Sequence, residues 1–336
     1  MNQTVAMTED GDTTPSEWFL NPDRGDGEIY VMSSEIDEAV NVALATGRPL
    51  LLRGSPGSGK SSLAPYVARR RGWRYYEHVI TYGTRSRDLL WRFDSVRRLA
   101  DAQVYRQESP PLDDFAYLQP GVLWWALAPR SARRRGRTVG EVPGEGIEDP
   151  FAGVNGGRSI DHAVVLIDEI DKADPDVPNS LLVPLGSQRF TVVETDTEVW
   201  TEPPTGPTDP QFSRHLVVIT TNDERELPQA FLRRCVVVSL PDHDVRSLVR
   251  IAEEHMRSWH GAGGAGHLRL AEAMAVELGR VTEQAAAQGM RGPSTAEFLD
   301  ALRACITLGI SLGSERWEWL KNCVLVKRQQ IYGDGW

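Results

Sequence analysis

A glycine-rich loop between an apolar run and a helical pattern constrains this chain more than any other feature. Residues 51–62 read LLRGSPGSGKSS, and residues 54–61, here called the glycine loop, follow G-x-x-x-x-G-K-[ST]. The run before the loop predicts a short buried strand, and the pattern of residues 60–71 predicts a helix. A strand, a glycine loop and a helix in this order form the context that phosphate binding requires.

The residue types in the glycine loop predict specific roles. Glycines allow successive backbone N–H groups to point at phosphate oxygens, and a helix that begins there adds the positive end of its dipole. We expect Lys60 to reach the β- and γ-phosphates and the Ser61 hydroxyl to bind Mg²⁺. The predicted nucleotide-binding residues are Gly54, Ser55, Pro56, Gly57, Ser58, Gly59, Lys60, Ser61 and Ser62.

Apolar runs without alternation predict an α/β fold with a parallel sheet. Strands are expected at residues 50–53, 73–79, 163–167, 215–220 and 235–240, and several of these runs are unbroken. Unbroken runs are typical of strands that are buried on both faces. Before the first strand, a capping-box pattern in residues 34–37 predicts a helix that ends at Gly47.

Composition divides the chain into three parts. Residues 1–28 are polar and lack periodicity, so we expect disorder there. Residues 29–241 are predicted to form the α/β domain, with insertions at about 84–160 and 186–214, and residues 242–336 a smaller all-helical domain. Helices are expected at about 87–103, 244–259, 268–288, 294–309 and 314–328, a hairpin within 186–214, and buried Trp124 and Trp125.

A predicted strand that ends in two carboxylates supplies candidates for metal and water chemistry. The segment HAVVLIDE ends with Asp168 and Glu169. Asp168 is the candidate Mg²⁺ ligand, and Glu169 the candidate that polarises a water for in-line attack on the γ-phosphate. In the alternative, Glu169 is a surface acid without a catalytic role, and the loop only stores nucleotide. Asp171, Lys172 and Asp174 are expected to shape the turn that follows.

Charge disfavours a general affinity for nucleic acid. The formal net charge is −10, from 47 acidic and 37 basic residues, and such a surface repels a phosphate backbone. The exception is residues 130–137, RSARRRGR, with five arginines. This arginine cluster is interpreted as a solvated loop or as a contact for an anionic partner or another subunit.

Other sequence signals point to a cytoplasmic protein. We find no run of eighteen apolar residues and no basic head with an apolar core at the N-terminus, so neither a membrane span nor a signal peptide is expected. The three cysteines, Cys235, Cys305 and Cys323, are far apart and are expected to be reduced.

Several motifs together resemble the MoxR-type branch of the AAA+ ATPases. They are GSPGSGKS, VVLIDEIDKAD, VVITTND followed by LPQAFLRRC, and GMRGPSTAEFLDAL, within about residues 29–310. The resemblance implies an AAA+ P-loop NTPase with a five-stranded parallel sheet and a helical lid, which uses ATP and Mg²⁺. It also implies a homo-oligomeric ring, expected to be a hexamer, a chaperone-like remodelling role, and a separate partner with a von Willebrand factor A domain.

The resemblance also assigns roles to four further residues. Asn222 matches the sensor-1 position, where its amide would orient the attacking water. Arg234 matches the position of an arginine finger offered to a neighbouring subunit, although the adjacent Arg233 remains an alternative. Arg291 matches the sensor-2 arginine of the lid. The structural alternatives are a turn-forming asparagine and surface or loop arginines.

Two other functions remain open at this stage. One is a nucleotide-dependent regulatory switch in a defence or signalling system. Glu169 and Asn222 argue against it, because a site that only stores nucleotide needs neither residue. The other is a nucleic-acid translocase, which only the arginine cluster supports.

Overall fold

The computed structural model describes residues 27–104, 112–140, 146–259, 264–287 and 291–326. The strands are β1 (Leu50–Arg53), β2 (Trp73–Val79), β3 (Trp91–Phe93), β4 (Leu118–Pro120), β5 (Ser159–Asp168), β6 (Arg189–Val192), β7 (Thr197–Trp200), β8 (His215–Thr221) and β9 (Val236–Ser239). The helices are α1 (Ser34–Thr46), α2 (Lys60–Arg71), α3 (Ser95–Val104), α4 (Val122–Leu127), α5 (Pro129–Arg133), α6 (Ala152–Asn155), α7 (Asp176–Ser187), α8 (Gln229–Leu232), α9 (Val245–Ser258), α10 (Ala265–Ala287), α11 (Thr295–Leu308) and α12 (Glu315–Leu320).

Five parallel strands form the central sheet, in the order β2-β5-β8-β1-β9. All five predicted strands are confirmed, although β5 begins at Ser159, before the predicted residue 163. Because the strands are parallel, the carboxyl ends of β5, β8 and β1 lie side by side at one edge of the sheet. That edge carries the glycine loop and the acidic and polar residues that end β5 and β8.

The sheet is buried on both faces, as the unbroken apolar runs predict. Along β5, Val164 and Leu166 pack with Leu63 of α2 on one face, whereas Val165 and Ile167 pack with Trp124 on the other. All are at most 3% exposed. Burying an aliphatic side chain of this size contributes about 1.5–3 kcal/mol, so both layers stabilise the strand that positions Asp168.

Helix α1 begins one residue earlier than the capping-box prediction. Ser33 is the N-cap, and its hydroxyl accepts a hydrogen bond from the Ile36 backbone N–H at 3.2 Å. With Ser33 at the cap, Asp37 does not occupy the third helical position that a capping box requires. The helix ends at Gly47 as predicted, with a left-handed φ of 64°.

The first insertion differs from its helical prediction. Residues 86–89 form a short 3-10 helix, residues 91–93 form strand β3, which pairs with β4, and the α-helix covers only residues 95–104. Trp91 is drawn into the core, where it stacks on Phe190 with ring centroids 5.7 Å apart. The Asp94 carboxylate accepts from the Arg97 N–H at 2.9 Å and starts the helix there.

The second insertion contains the predicted hairpin, formed by β6 and β7. Glu194 in its turn accepts a hydrogen bond from Trp91 Nε1 at 2.7 Å, so the two insertions contact each other. Trp124 and Trp125 are buried in the core as predicted.

Most of the arginine cluster makes contacts within the protein. Arg130 pairs with Glu202 at 2.8 Å, and Arg135 donates to the Ala116 carbonyl oxygen at 2.8 Å. Arg134 donates to the Arg137 carbonyl oxygen, and Arg137 pairs with Asp113. These contacts connect the cluster to other parts of the chain, and a contact with an anionic partner or another subunit stays a prediction.

Helices α9–α12 pack around a separate apolar cluster that includes Leu248, Met274 and Phe298. The predicted helix at 314–328 is α-helical only as far as Leu320, and residues 321–326 form π-helical turns. Residues 1–26 of the predicted tail lie outside the described residues. Within the part of the chain that the structure describes, no helix has the length and apolarity that crossing a bilayer demands. All three cysteines are free.

Candidate functional site

The glycine loop takes a backbone path that requires glycine at two positions. Gly54, with φ 151°, has the Leu240 carbonyl oxygen only 2.8 Å from where a Cβ would lie. Gly57, with φ 77°, has Ser294 at 2.6 Å from the same point. The loop thus packs against the residue that follows β9 on one side and against the N-cap of α11 on the other. A side chain at either glycine would clash with these neighbours.

Lys60 is folded onto the glycine loop. Its side chain is buried at 6% exposure, and Nζ donates to the carbonyl oxygens of Gly54 at 2.7 Å and Ser55 at 2.8 Å. Burial lowers the pKa of Lys60, the charge of Arg291 lowers it further, and Asp168, Asp171 and Asp223 oppose that shift.

The glycine loop has hydrogen-bond donors that suit a phosphate group. The Ser58 hydroxyl is buried and has no hydrogen-bond partner among the described residues, which is unusual for a buried polar group. Together with the ammonium of Lys60 and the open glycine backbone, it offers donors to an anion.

Asp168 lies where a magnesium ligand is expected. Its Oδ1 accepts hydrogen bonds from Ser61 Oγ at 2.8 Å and from Thr220 Oγ1 at 2.5 Å. The described residues contain no group of three or more His, Cys, Asp or Glu that could hold a metal. A hydroxyl and one carboxylate suit Mg²⁺, which usually takes few protein ligands and completes its shell with water and substrate phosphates.

Glu169 and Asn222 lie together at the end of the sheet. The Asn222 Nδ2 donates to Glu169 Oε1 at 3.3 Å, and Lys172 Nζ donates to Oε2 at 2.7 Å. Glu169 itself has a left-handed φ of 59°, an uncommon conformation for this residue type. The hydrogen bond to Glu169 is the main cause that raises the pKa of Lys172.

Asp171 does more than shape the turn that follows it. Its carboxylate, 3% exposed, accepts hydrogen bonds from the backbone N–H groups of Asn222 at 3.1 Å and Glu224 at 3.0 Å. It therefore ties the end of β8 to the turn after β5. Because this contact joins the ends of two strands that are far apart in the sequence, the residues around Asp171 alone could not reveal it.

The predicted arginines separate into two places. Arg291 lies at the glycine loop, where Nη2 donates to the Pro56 carbonyl oxygen at 2.7 Å. Arg233 and Arg234 are exposed, and Arg234 lines a cleft with residues 46–49, just before β1. The glycine loop follows the other end of β1, so the four-residue strand, roughly 13 Å long, separates these arginines from it.

Thr220 and Lys172 are the functional candidates that motif reasoning missed. Thr220 is 1% exposed and bonds to both Asp168 and Glu169. The only sequence signal is a pair of polar residues, Thr220 and Thr221, at the end of an otherwise apolar strand.

The family model for the AAA domain, dynein-related subfamily, matches residues 49–235. The match includes the glycine loop, the Asp168–Glu169 pair, Asn222 and both candidate finger arginines, and it spans more than half of the chain. The chain belongs to this AAA family. Its fold is accordingly that of an AAA+ domain, with the parallel five-stranded sheet flanked by helices and a helical C-terminal region.

Three solved structures resemble this AAA chain at low sequence identity. A single-substitution variant of RuvB from Thermotoga maritima is 12% identical, with a TM-score of 0.42, and the match covers 86% of this chain and 67% of that protein. An inferred ATPase of Cytophaga hutchinsonii is 14% identical, with a TM-score of 0.40 and coverage of 90% and 83%. NtrX of Brucella abortus is 12% identical, with a TM-score of 0.42 and coverage of 85% and 52%. Similarity at this level carries no conclusion about function, and a search of curated proteins gave no match.

Proposed function

We propose that this AAA protein binds and hydrolyses Mg-ATP. The observation that carries the proposal is the contact between Glu169 and Asn222, beside the hydrogen-bonded Ser61 and Asp168. A site that only stored nucleotide would not need an oriented carboxylate and amide at the end of the sheet. The arrangement suits a site that positions a water for attack on a phosphoryl group.

Each residue has a role that follows from its place. The glycine loop and Lys60 would bind the phosphates, and Ser61 and Asp168 would hold Mg²⁺, which would neutralise phosphate charge. Glu169 accepts a proton from the attacking water while Asn222 orients it. Arg291 connects the C-terminal helices to the loop, which supports a lid role for residues 242–336 against the α/β domain of residues 29–241.

A shared site in a ring is the second part of the proposal. Arg234 and Arg233 lie at the amino end of β1, away from the nucleotide site of their own chain. Exposed guanidinium groups in that place suit an arginine finger offered to the next subunit. We take Arg234 as the finger and a hexamer as the ring.

ATP hydrolysis would drive a movement of the lid. We propose a cytoplasmic MoxR-like remodelling ATPase, in which lid movement reaches a protein client through the two insertions. The contact of Glu194 with Trp91 supports this route, because it joins the two insertions directly. The partner, of the von Willebrand factor A type, would be a separate chain.

Steady-state ATPase activity per subunit, measured over a wide range of protein concentration, tests the proposal. The unmodified protein is compared with Glu169→Gln and Arg234→Ala, and with Arg316→Ala as a control for loss of an exposed arginine. We expect activity that rises with concentration and falls roughly a thousandfold or more in the finger variant. Arg233→Ala decides which arginine acts.

Mixing the two inactive variants identifies a shared site. Partial recovery of activity means that Glu169 of one subunit and Arg234 of another complete one site. Tight nucleotide binding without turnover would instead favour the regulatory switch. Turnover that depends on neither concentration nor arginine would refute the ring.

A further inference from the structure

The hydroxyl of Thr220 contacts both carboxylate residues of the site. Thr220 Oγ1 donates to Asp168 Oδ1 at 2.5 Å, and it accepts a hydrogen bond from the Glu169 backbone N–H at 2.9 Å. A hydroxyl has one proton to donate and lone pairs to accept. Both capacities are used here, one on each of two consecutive residues.

The position of this hydroxyl follows from the sheet. Strands β5 and β8 are parallel neighbours with Ile167 opposite Ile219, so the next residues along each strand, Asp168 and Thr220, meet where the ladder ends. Thr220 itself is only 1% exposed, so its hydroxyl is shielded from bulk water.

The contact with Glu169 supports an uncommon backbone conformation. A left-handed φ in a residue other than glycine persists only where its surroundings hold it. The bond from the Glu169 N–H to Thr220 fixes the peptide that enters this residue. The direction of the Glu169 side chain toward Asn222 therefore depends on Thr220.

The contact with Asp168 fixes the orientation of a carboxylate. Oδ1 accepts from Ser61 on α2 and from Thr220 on β8, two donors that come from different elements. Groups that orient a metal ligand affect metal affinity although they do not touch the metal.

We propose that Thr220 is a positioning residue that sets the metal ligand Asp168 and the base Glu169 together. The catalytic consequence rests on the proposed ATPase function, but the two hydrogen bonds do not. Thr220 thereby connects the end of β8, which Asn222 follows, to the two acids. The positions of Asp168, Glu169 and Asn222 relative to one another are set in this way.

Two substitutions at this position separate the hydroxyl from the shape of the side chain. Thr220→Val keeps the branched shape and removes the hydroxyl, whereas Thr220→Ser keeps the hydroxyl. Thr221→Val is the matched control, because Thr221 is also buried at 0% exposure. Its hydroxyl accepts a local bond from the Asp223 N–H at 3.0 Å and contacts neither acid in the described part of the chain. Circular dichroism and urea unfolding verify that each full-length variant folds.

Two readouts do not require turnover. The first is hydrogen exchange at the Glu169 amide in nucleotide-free protein, followed by NMR and compared with neighbouring amides. The second is the affinity for Mn²⁺ in the presence of a non-hydrolysable ATP analogue, followed by electron paramagnetic resonance. The kcat and KM for ATP complete the set.

We expect Thr220→Val to speed exchange at the Glu169 amide by about tenfold and to weaken Mn²⁺ binding by roughly 10- to 100-fold. The kcat should fall while nucleotide affinity without metal stays unchanged, and Thr220→Ser should restore all three values. The proposal is overturned if Thr220→Val leaves both amide exchange and Mn²⁺ affinity unchanged, or if Thr221→Val has the same effects.

The outcome for the proposed function is separate. If the unmodified protein does not hydrolyse ATP, the ATPase proposal fails, while amide exchange and Mn²⁺ binding still decide on Thr220. If the unmodified protein turns over ATP and Thr220→Val matches it in every readout, only the positioning role fails.

Discussion

Glu169 is held by two side chains of different charge. Lys172 donates an ammonium proton to one carboxylate oxygen, and Asn222 donates an amide proton to the other. The ion pair is partly exposed, at 30% for Lys172 and 29% for Glu169. Pairs of this kind contribute about 0–1 kcal/mol to stability, so its importance lies in where it places the carboxylate.

Replacing Lys172 should therefore impair catalysis more than folding. We expect Lys172→Met to lower kcat roughly tenfold, since small misplacements of a reacting group are costly, with nucleotide affinity unchanged. Lys172→Arg should retain most activity. Single-turnover kinetics and nucleotide titration measure the two effects. A kcat that rises in Lys172→Met would show that the pair restrains Glu169 instead of orienting it.

His215 makes stability depend on pH. Burial, followed by the charges of Arg214 and Arg74, lowers its pKa from 6.5 to about 3. The unfolded state binds a proton near pH 6.5 and the native state only near pH 3, so stability falls as pH drops between these values. We expect His215 to account for about 1.4 kcal/mol per pH unit there.

Urea unfolding at several pH values between 7 and 4 tests this expectation. In His215→Gln, the slope of unfolding free energy against pH should correspond to close to one proton fewer than in the unmodified protein, while the remaining histidines still contribute. Equal slopes for the two proteins would mean that His215 is accessible to protons in the native state.

The candidate site shows which residues a sequence can reveal. Lys60, Ser61, Asp168 and Glu169 were predictable because each role is tied to a position in a local motif, next to a strand end. Thr220 was not, because its importance arises from the register of two strands that are separated by about fifty residues. Local spacing cannot determine which side chain of β8 will face Asp168.

At the scale of elements, the predicted secondary structure agrees with the observed one where the sequence pattern that determines it is local. The unbroken apolar runs of β1 and β8 and the hairpin of β6 and β7 are local patterns, and the structure confirms them. Residues 91–93 have helical neighbours, but they become a strand because Trp91 finds a partner in Phe190 about one hundred residues later. Tertiary packing overrides local preference there.

Trp91 should accordingly stabilise both insertions. It is 5% exposed, stacks on Phe190 and donates to Glu194. We expect Trp91→Ala to cost about 3–5 kcal/mol of unfolding free energy. Trp200→Ala is the control, since Trp200 is 57% exposed in β7 and should cost less than about 0.5 kcal/mol. Comparable losses in urea unfolding would contradict the packing role of Trp91.

At the scale of the whole molecule, the C-terminal helices reach the glycine loop at two points. Arg291 donates to the Pro56 carbonyl oxygen, and Ser294 at the start of α11 packs against Gly57. The first of these contacts joins residues that are 235 positions apart in the chain. A change in the backbone conformation of the glycine loop on nucleotide binding would therefore alter these contacts with the C-terminal helices.

Arg291 should couple nucleotide binding to the position of those helices. Loss of a charged hydrogen-bonding group costs about 1.5–3 kcal/mol, so Arg291→Ala should weaken binding of an ATP analogue roughly 10- to 100-fold. It should also increase hydrogen exchange at the start of α11. Arg316→Ala removes an equal charge from an exposed position within the helices and should leave both values unchanged. If Arg291→Ala weakens binding without altering exchange in α11, the arginine contacts nucleotide but does not position the helices, and a lid driven by this contact is refuted.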